Sequence, residues 1–157
     1  MHWRSDMSRH VYELVRLLMQ IEENFSRMYN NIACLDGSYA PQIKTVAKVL
    51  SRQESNHAQK YNDLLTSANL AEIQISEEIF EKTMIMLKSF KRKIKLERMH
   101  DIGELLEYAV QFEKENANAL TEILQSLDEQ ESAFKTLLEQ LVKAEEEHIK
   151  MLSTFIK

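Results

Sequence analysis

Leu50-Ser51-Arg52-Gln53-Glu54-Ser55-Asn56-His57 and Leu141-Val142-Lys143-Ala144-Glu145-Glu146-Glu147-His148 share a pattern: an apolar residue, a glutamate four positions on, and a histidine three beyond that. On a helix, residues three and four apart leave the same face, so each leucine, glutamate and histidine lie on one stripe. Extended at the alternating 3/4 spacing of a bundle seam, the first stripe runs Ile43, Ala47, Leu50, Glu54, His57, Tyr61, Leu64. The second runs Phe134, Leu138, Leu141, Glu145, His148, Leu152, Phe155. Two more stripes have the same form: Val11, Val15, Leu18, Glu22, Phe25, Tyr29, Ile32, and Ile102, Leu106, Ala109, Glu113, Asn116, Leu120, Ile123. Each is apolar except at mid-length.

Four such stripes need four long helices, and the composition agrees. The 157 residues contain two glycines (Gly37, Gly103) and one proline (Pro41), too few for the turns of a sandwich, a barrel or repeated βαβ units. Gly37 suits the end of a first helix and Pro41 the first turn of a second. Asp101 to Glu104 and Asp128 to Glu131 each read as an N-cap box, an acceptor with glutamate three residues later. The spacing predicts bundle helices over about 8–36, 41–66, 102–127 and 130–157. Between the second and third lies a crossover in which Ser76 is a candidate N-cap. Ile79, Phe80, Met84, Leu87, Phe90 and Ile94 follow it at helical spacing, so a short amphipathic helix lying across the bundle is expected. No linker composition interrupts the chain, which reads as a single domain over 1–157.

Other features narrow the function. The apolar runs are far shorter than the roughly 18 residues of a membrane span, and the opening residues lack an apolar signal core, so a cytoplasmic location is expected. Cys34 is the only cysteine, which excludes an internal disulfide and a four-cysteine metal site. A formal net charge of −5 gives no reason to expect a nucleic-acid partner. The basic cluster Lys88, Lys91, Arg92, Lys93, Lys95 and Arg98 reads as a solvated helix face. His2, His10 and His100 lack partners at ligand spacing and read as surface histidines; Cys34 reads as a small apolar residue.

The polar interruptions carry the chemistry. Glu22, Glu54, Glu113 and Glu145 fall at one level of four apolar stripes that contain no Lys or Arg. Buried carboxylates without compensation are very costly and would repel one another. Two divalent cations offset four carboxylates in formal charge, and His57 and His148 add neutral nitrogen donors. The halves repeat this layout: Glu22 to Glu54 and Glu113 to Glu145 each span 32 residues, and the copies are offset by 91.

With these residues in view, the chain resembles the di-iron carboxylate proteins of the ferritin-like superfamily, and among them the rubrerythrins most closely. Two short connections flanking one long crossover match that all-α, ferritin-like four-helix bundle. The resemblance implies metal ligands Glu22, Glu54, His57, Glu113, Glu145 and His148, with Glu54 and Glu145 bridging the metals. Tyr29, seven residues after Glu22, falls where the family tends to keep a tyrosine beside the ligands. The implied cofactor is a pair of iron ions, although oxygen and nitrogen ligands also suit manganese or a mixed pair. Ser55 stands where bacterioferritins usually carry the methionine that holds haem, so no haem is expected.

Two departures stand out. Rubrerythrins place an extra glutamate at the position of Asn116, which here reads as a hydrogen-bonding amide beside the ligands. They also carry a four-cysteine rubredoxin-like domain, which these residues lack, so a separate electron donor of rubredoxin type is implied. The implied function is reduction of hydrogen peroxide or dioxygen by an oxidoreductase, as a homodimer without a membrane or nucleic-acid partner. Ferritin-like oxidation and storage of iron, or a non-enzymatic bundle used for protein interaction, are the alternatives.

Overall fold

The computed structural model describes residues 2–34, 41–66, 70, 72–96, 102–127 and 132–156. Five α-helices account for nearly all of them: α1 (His2–Ala33), α2 (Pro41–Leu65), α3 (Glu77–Leu96), α4 (Ile102–Ser126) and α5 (Ala133–Ser153). There is no strand among the described residues. None of these helices is long and apolar enough to cross a membrane.

Side-chain contacts order the bundle. Ser26 on α1 and Ser51 on α2 clasp each other, Ser26 Oγ donating to the Ser51 carbonyl at 2.9 Å and Ser51 Oγ to the Ser26 carbonyl at 2.8 Å. Gln53 and Glu54 on α2 meet His148 on α5; Glu113 on α4 meets His148 as well. Tyr29 on α1 meets Glu113 on α4. Around the bundle the order is therefore α1, α2, α5, α4. In each neighbouring pair, later residues of one helix face earlier residues of the other, so the pairs are antiparallel. The seams close over one core, which includes Leu18, Phe25, Leu50, Phe112, Leu120, Phe134, Leu138 and Leu141.

The expected stripes face inward, but several boundaries and the crossover differ from expectation. The first helix starts at His2, because nothing between His2 and the expected start breaks a helix. It ends at Ala33 with a tightened turn, Cys34 N donating to the carbonyls of Asn30 and Asn31. The last helix starts at Ala133, not 130: Ser132 is its N-cap, with extended backbone (φ −160°, ψ 160°) and a side chain that accepts from Lys135 N. Its last residue is Ser153. Gly37, Asp101 and the segment 128–131 lie outside the described residues.

The crossover helix is not short. α3 has 20 residues, about 30 Å at 1.5 Å per residue. It starts as expected at Ser76, whose Oγ accepts from Ile79 N. It does not lie across the bundle but runs alongside α1 in the same direction: His10 stacks on Phe80, and Gln20 accepts from Lys91. Phe80, Thr83, Leu87, Phe90 and Ile94 are its buried stripe, and Phe90 fills the angle between Phe25 and Phe112. Ile79 falls outside that stripe and is exposed. His10 is half-buried against Phe80 rather than a free surface residue, and Cys34 is exposed rather than apolar filling. Lys88 and Arg92 are exposed and Lys93 pairs with Glu115, as suits a solvated face.

This packing makes α3 a structural part of the bundle. Phe90→Ala should cost about 3–5 kcal/mol in urea unfolding, as expected for a deleted core aromatic. Ile85→Ala, on the same helix but 72% exposed, should stay within about 0.5 kcal/mol.

Candidate metal centre

Each bundle helix delivers its mid-length polar residue to one level of the interior. Glu22, Glu54, Glu113 and Glu145 are at most 1% exposed, and His57 and His148 are buried beside them. Packing alone aims them there. The residues one turn either side on each stripe, such as Leu18 and Phe25 or Leu141, are themselves sealed in the core.

The two histidines present Nδ1 to the carboxylates from neighbouring helices, their rings stacked at 5.9 Å. His57 Nδ1 lies 3.7 Å from Glu22 Oε2, 3.9 Å from Glu54 Oε2 and 3.7 Å from Glu145 Oε1. His148 Nδ1 lies 2.7 Å from Glu54 Oε1, 3.3 Å from Glu113 Oε1 and 3.7 Å from Glu145 Oε2. Two four-residue sets result, Glu22–Glu54–His57–Glu145 and Glu54–Glu113–Glu145–His148, each with its donor atoms within 4.8 Å of one another. Glu54 and Glu145 belong to both.

Around this cluster the hydrogen bonding is unequal. Tyr29 Oη donates to Glu113 Oε1 at 2.6 Å. Asn116, expected as a hydrogen-bonding amide beside the ligands, points its amide across to Glu22 Oε1 at 3.5 Å, long for a hydrogen bond. Two contributors were not anticipated. Gln53 meets His148 Nε2 at 2.6 Å, and Tyr61 has a buried hydroxyl with no hydrogen-bond partner among the described residues. The 91-residue repeat carries a signal for Gln53, since its counterpart is Ala144; nothing in the stripe marks the Tyr61 hydroxyl as unpaired.

The electrostatics follow from burial. Desolvation, reinforced by the charges of Glu22 and Glu113, holds the Glu54 carboxyl well above the ordinary glutamate range. Burial raises Glu113 too, against the pull of His148. Burial also acts upward on Glu22, but hydrogen bonding to Glu54 and His57 takes it below its ordinary value. Both tyrosine hydroxyls are pushed well up by desolvation and then by the neighbouring glutamates.

Orphaned oxygens remain at Glu22 Oε2, Glu113 Oε2 and both Glu145 oxygens, in a site with no lysine or arginine partner among the described residues. Hard oxygen donors with two imidazole nitrogens, in two sets sharing two carboxylates, fit a pair of divalent metal ions. A four-helix bundle with this crossover and this buried carboxylate–imidazole cluster is a ferritin-like fold of the metal-carboxylate type. The family comparison is specific: the rubrerythrin family model matches residues 13–156, and the chain belongs to that family. No individual curated protein and no solved structure matches it.

The raised carboxyls set a pH dependence for the metal-free protein. Glu54 and Glu113 keep protons in the folded chain that they release on unfolding once the pH exceeds about 4.3. Their contribution to stability is present below that value and is lost as pH rises through the raised values. Glu22 works the other way, its contribution being lost as pH falls through the lowered value. Two raised carboxyls against one lowered set the sign. Metal-free protein should therefore melt at progressively lower temperature as pH rises above about 4.3, and metal-loaded protein should not. Parallel thermal melts check this.

Proposed function

We propose that this protein is a di-iron oxidoreductase that reduces hydrogen peroxide, or dioxygen, with electrons from a separate donor of rubredoxin type. The observation that carries the reading is the pair of four-donor sets sharing Glu54 and Glu145. In this reading Glu22 and His57 would hold one iron, Glu113 and His148 the other, and Glu54 and Glu145 would be available to both. When bound, the ferrous pair supplies the two electrons that cleavage of a peroxide O–O bond consumes.

The chain's own residues supply the setting. Four carboxylates against two imidazoles favour the more oxidised, more highly charged metal pair. Tyr29 ties down Glu113 through its hydroxyl proton. Phe25, Phe112, Leu50 and Leu141 keep bulk water away. His57, 7% exposed, is the least covered of the six residues. Asn116 gives Glu22 a neutral amide where a rubrerythrin-type site would offer another carboxylate, which limits the turnover of peroxide.

Protein purified without chelator should contain two metal ions per chain. Glu54→Ala or Glu145→Ala should lose both, and Glu22→Ala or Glu113→Ala mainly one; elemental analysis checks each. Ferrous protein should consume peroxide faster than free ferrous ion, with Asn116→Glu several-fold faster still. A metal-free protein, or oxidation no faster than in free solution, overturns the reading. Elution as a large shell instead of a dimer would favour iron storage.

A further inference from the structure

The two Glu-x-x-His motifs differ at the residue before the glutamate. Gln53 precedes Glu54, and the position offset by 91 is Ala144, before Glu145. From α2, half-buried Gln53 reaches across to α5 and sets its side-chain carbonyl oxygen 2.6 Å from His148 Nε2. An imidazole nitrogen facing a carbonyl oxygen at that distance must carry a proton, because the oxygen can only accept.

With the proton held on Nε2, the remaining nitrogen, Nδ1, faces the cluster of Glu54, Glu113 and Glu145. The two rings are also seated differently. His148 Nδ1 approaches the carboxylates to 2.7 and 3.3 Å, whereas His57 Nδ1 comes no nearer than 3.7 Å. Ala144 has no polar side chain with which to hold His57 in turn. The tethered ring is the one seated deep among the carboxylates.

We propose that Gln53 is a positioning residue for His148: it fixes the tautomer and orientation of that ring, and so prepares the Glu113–His148 position to take metal ahead of the Glu22–His57 position. The inference rests on the reading of the cluster as a metal pair. The hydrogen bond from Tyr29 to Glu113 supports the same position from the opposite helix. A hydrogen-bond partner behind a ligating histidine typically changes metal affinity by about 10–100-fold.

The test uses the full chain, stripped of metal and titrated with Co2+, whose visible absorption reports each occupied position. The parent should fill in two resolved steps. Gln53→Met, similar in length but without the carbonyl, should weaken the first step by about 10–100-fold and leave the second unchanged. Gln53→Glu, which keeps an acceptor, should restore the first step to within a few-fold of the parent. Histidine 15N shifts of the metal-free chain give a readout that needs no metal: Gln53→Met should depopulate the Nε2-protonated form of His148. Unchanged steps with an unchanged tautomer population, or both steps weakened equally, overturn the role of Gln53. A parent chain that takes up no Co2+ overturns the metal reading together with this inference, whereas two Co2+ bound with no effect of Gln53→Met overturns this inference alone.

Discussion

Four glutamates meet at one level of a helical core, and almost everything else in the structure is arranged around their mutual repulsion. Burial raises the cost of ionising Glu54 and Glu113, and Glu22 is held ionised by its neighbours. A core that wanted only stability would place leucines there, as the rest of each stripe does. Ionised carboxylates here call for positive charge from outside the chain, and the two shared glutamates would let a pair of cations satisfy both halves at once. The apolar layers on either side serve the same end. They hold four helices in a register that brings all six side chains together, and they keep out the water that would otherwise weaken the attraction between carboxylate and cation.

The architecture and the six converging side chains were legible in the sequence because both are properties of periodicity. A stripe repeating at 3/4 spacing leaves no freedom about which face is buried, so a glutamate on it is placed by its leucine neighbours. The ends of helices follow shorter-range rules. Glu131 three residues after Asp128 looked like a box, yet Ser132, extended and accepting from Lys135 N, caps α5. The course of α3 was hidden for another reason. Its apolar stripe is plain, but whether it crosses α1 or runs beside it depends on contacts such as His10 with Phe80, which no local pattern encodes. Gln53 lies off the stripe, beside a glutamate that draws the attention, and its reach to α5 is a tertiary fact. The hydroxyl of Tyr61 is orphaned by what its neighbours lack.

The internal repeat is also where the two halves part company. Tyr29 and Gln53 both support the side of the cluster that holds Glu113 and His148, whereas on the other side Asn116 makes a long contact to Glu22. Equal ligands in unequal surroundings give a centre a direction. One position is firmly organised and the other adaptable, an asymmetry that would suit the proposed metal pair if its charge changes in turnover.

The crossover has a consequence for how the molecule is assembled. Neither helical hairpin, α1 with α2 or α4 with α5, holds a complete four-donor set, because each set takes a shared glutamate from the opposite hairpin. Considered as polymers, the hairpins are two partners whose association would depend on dilution if they were separate chains. The segment containing α3 makes them one molecule, and a connection of this kind holds its ends at an effective concentration of about millimolar or above. Because α3 packs as a rigid helix along α1, the span it has to bridge is already set by structure. The scaffold behaves as a dimer of hairpins that has been made indifferent to its own concentration.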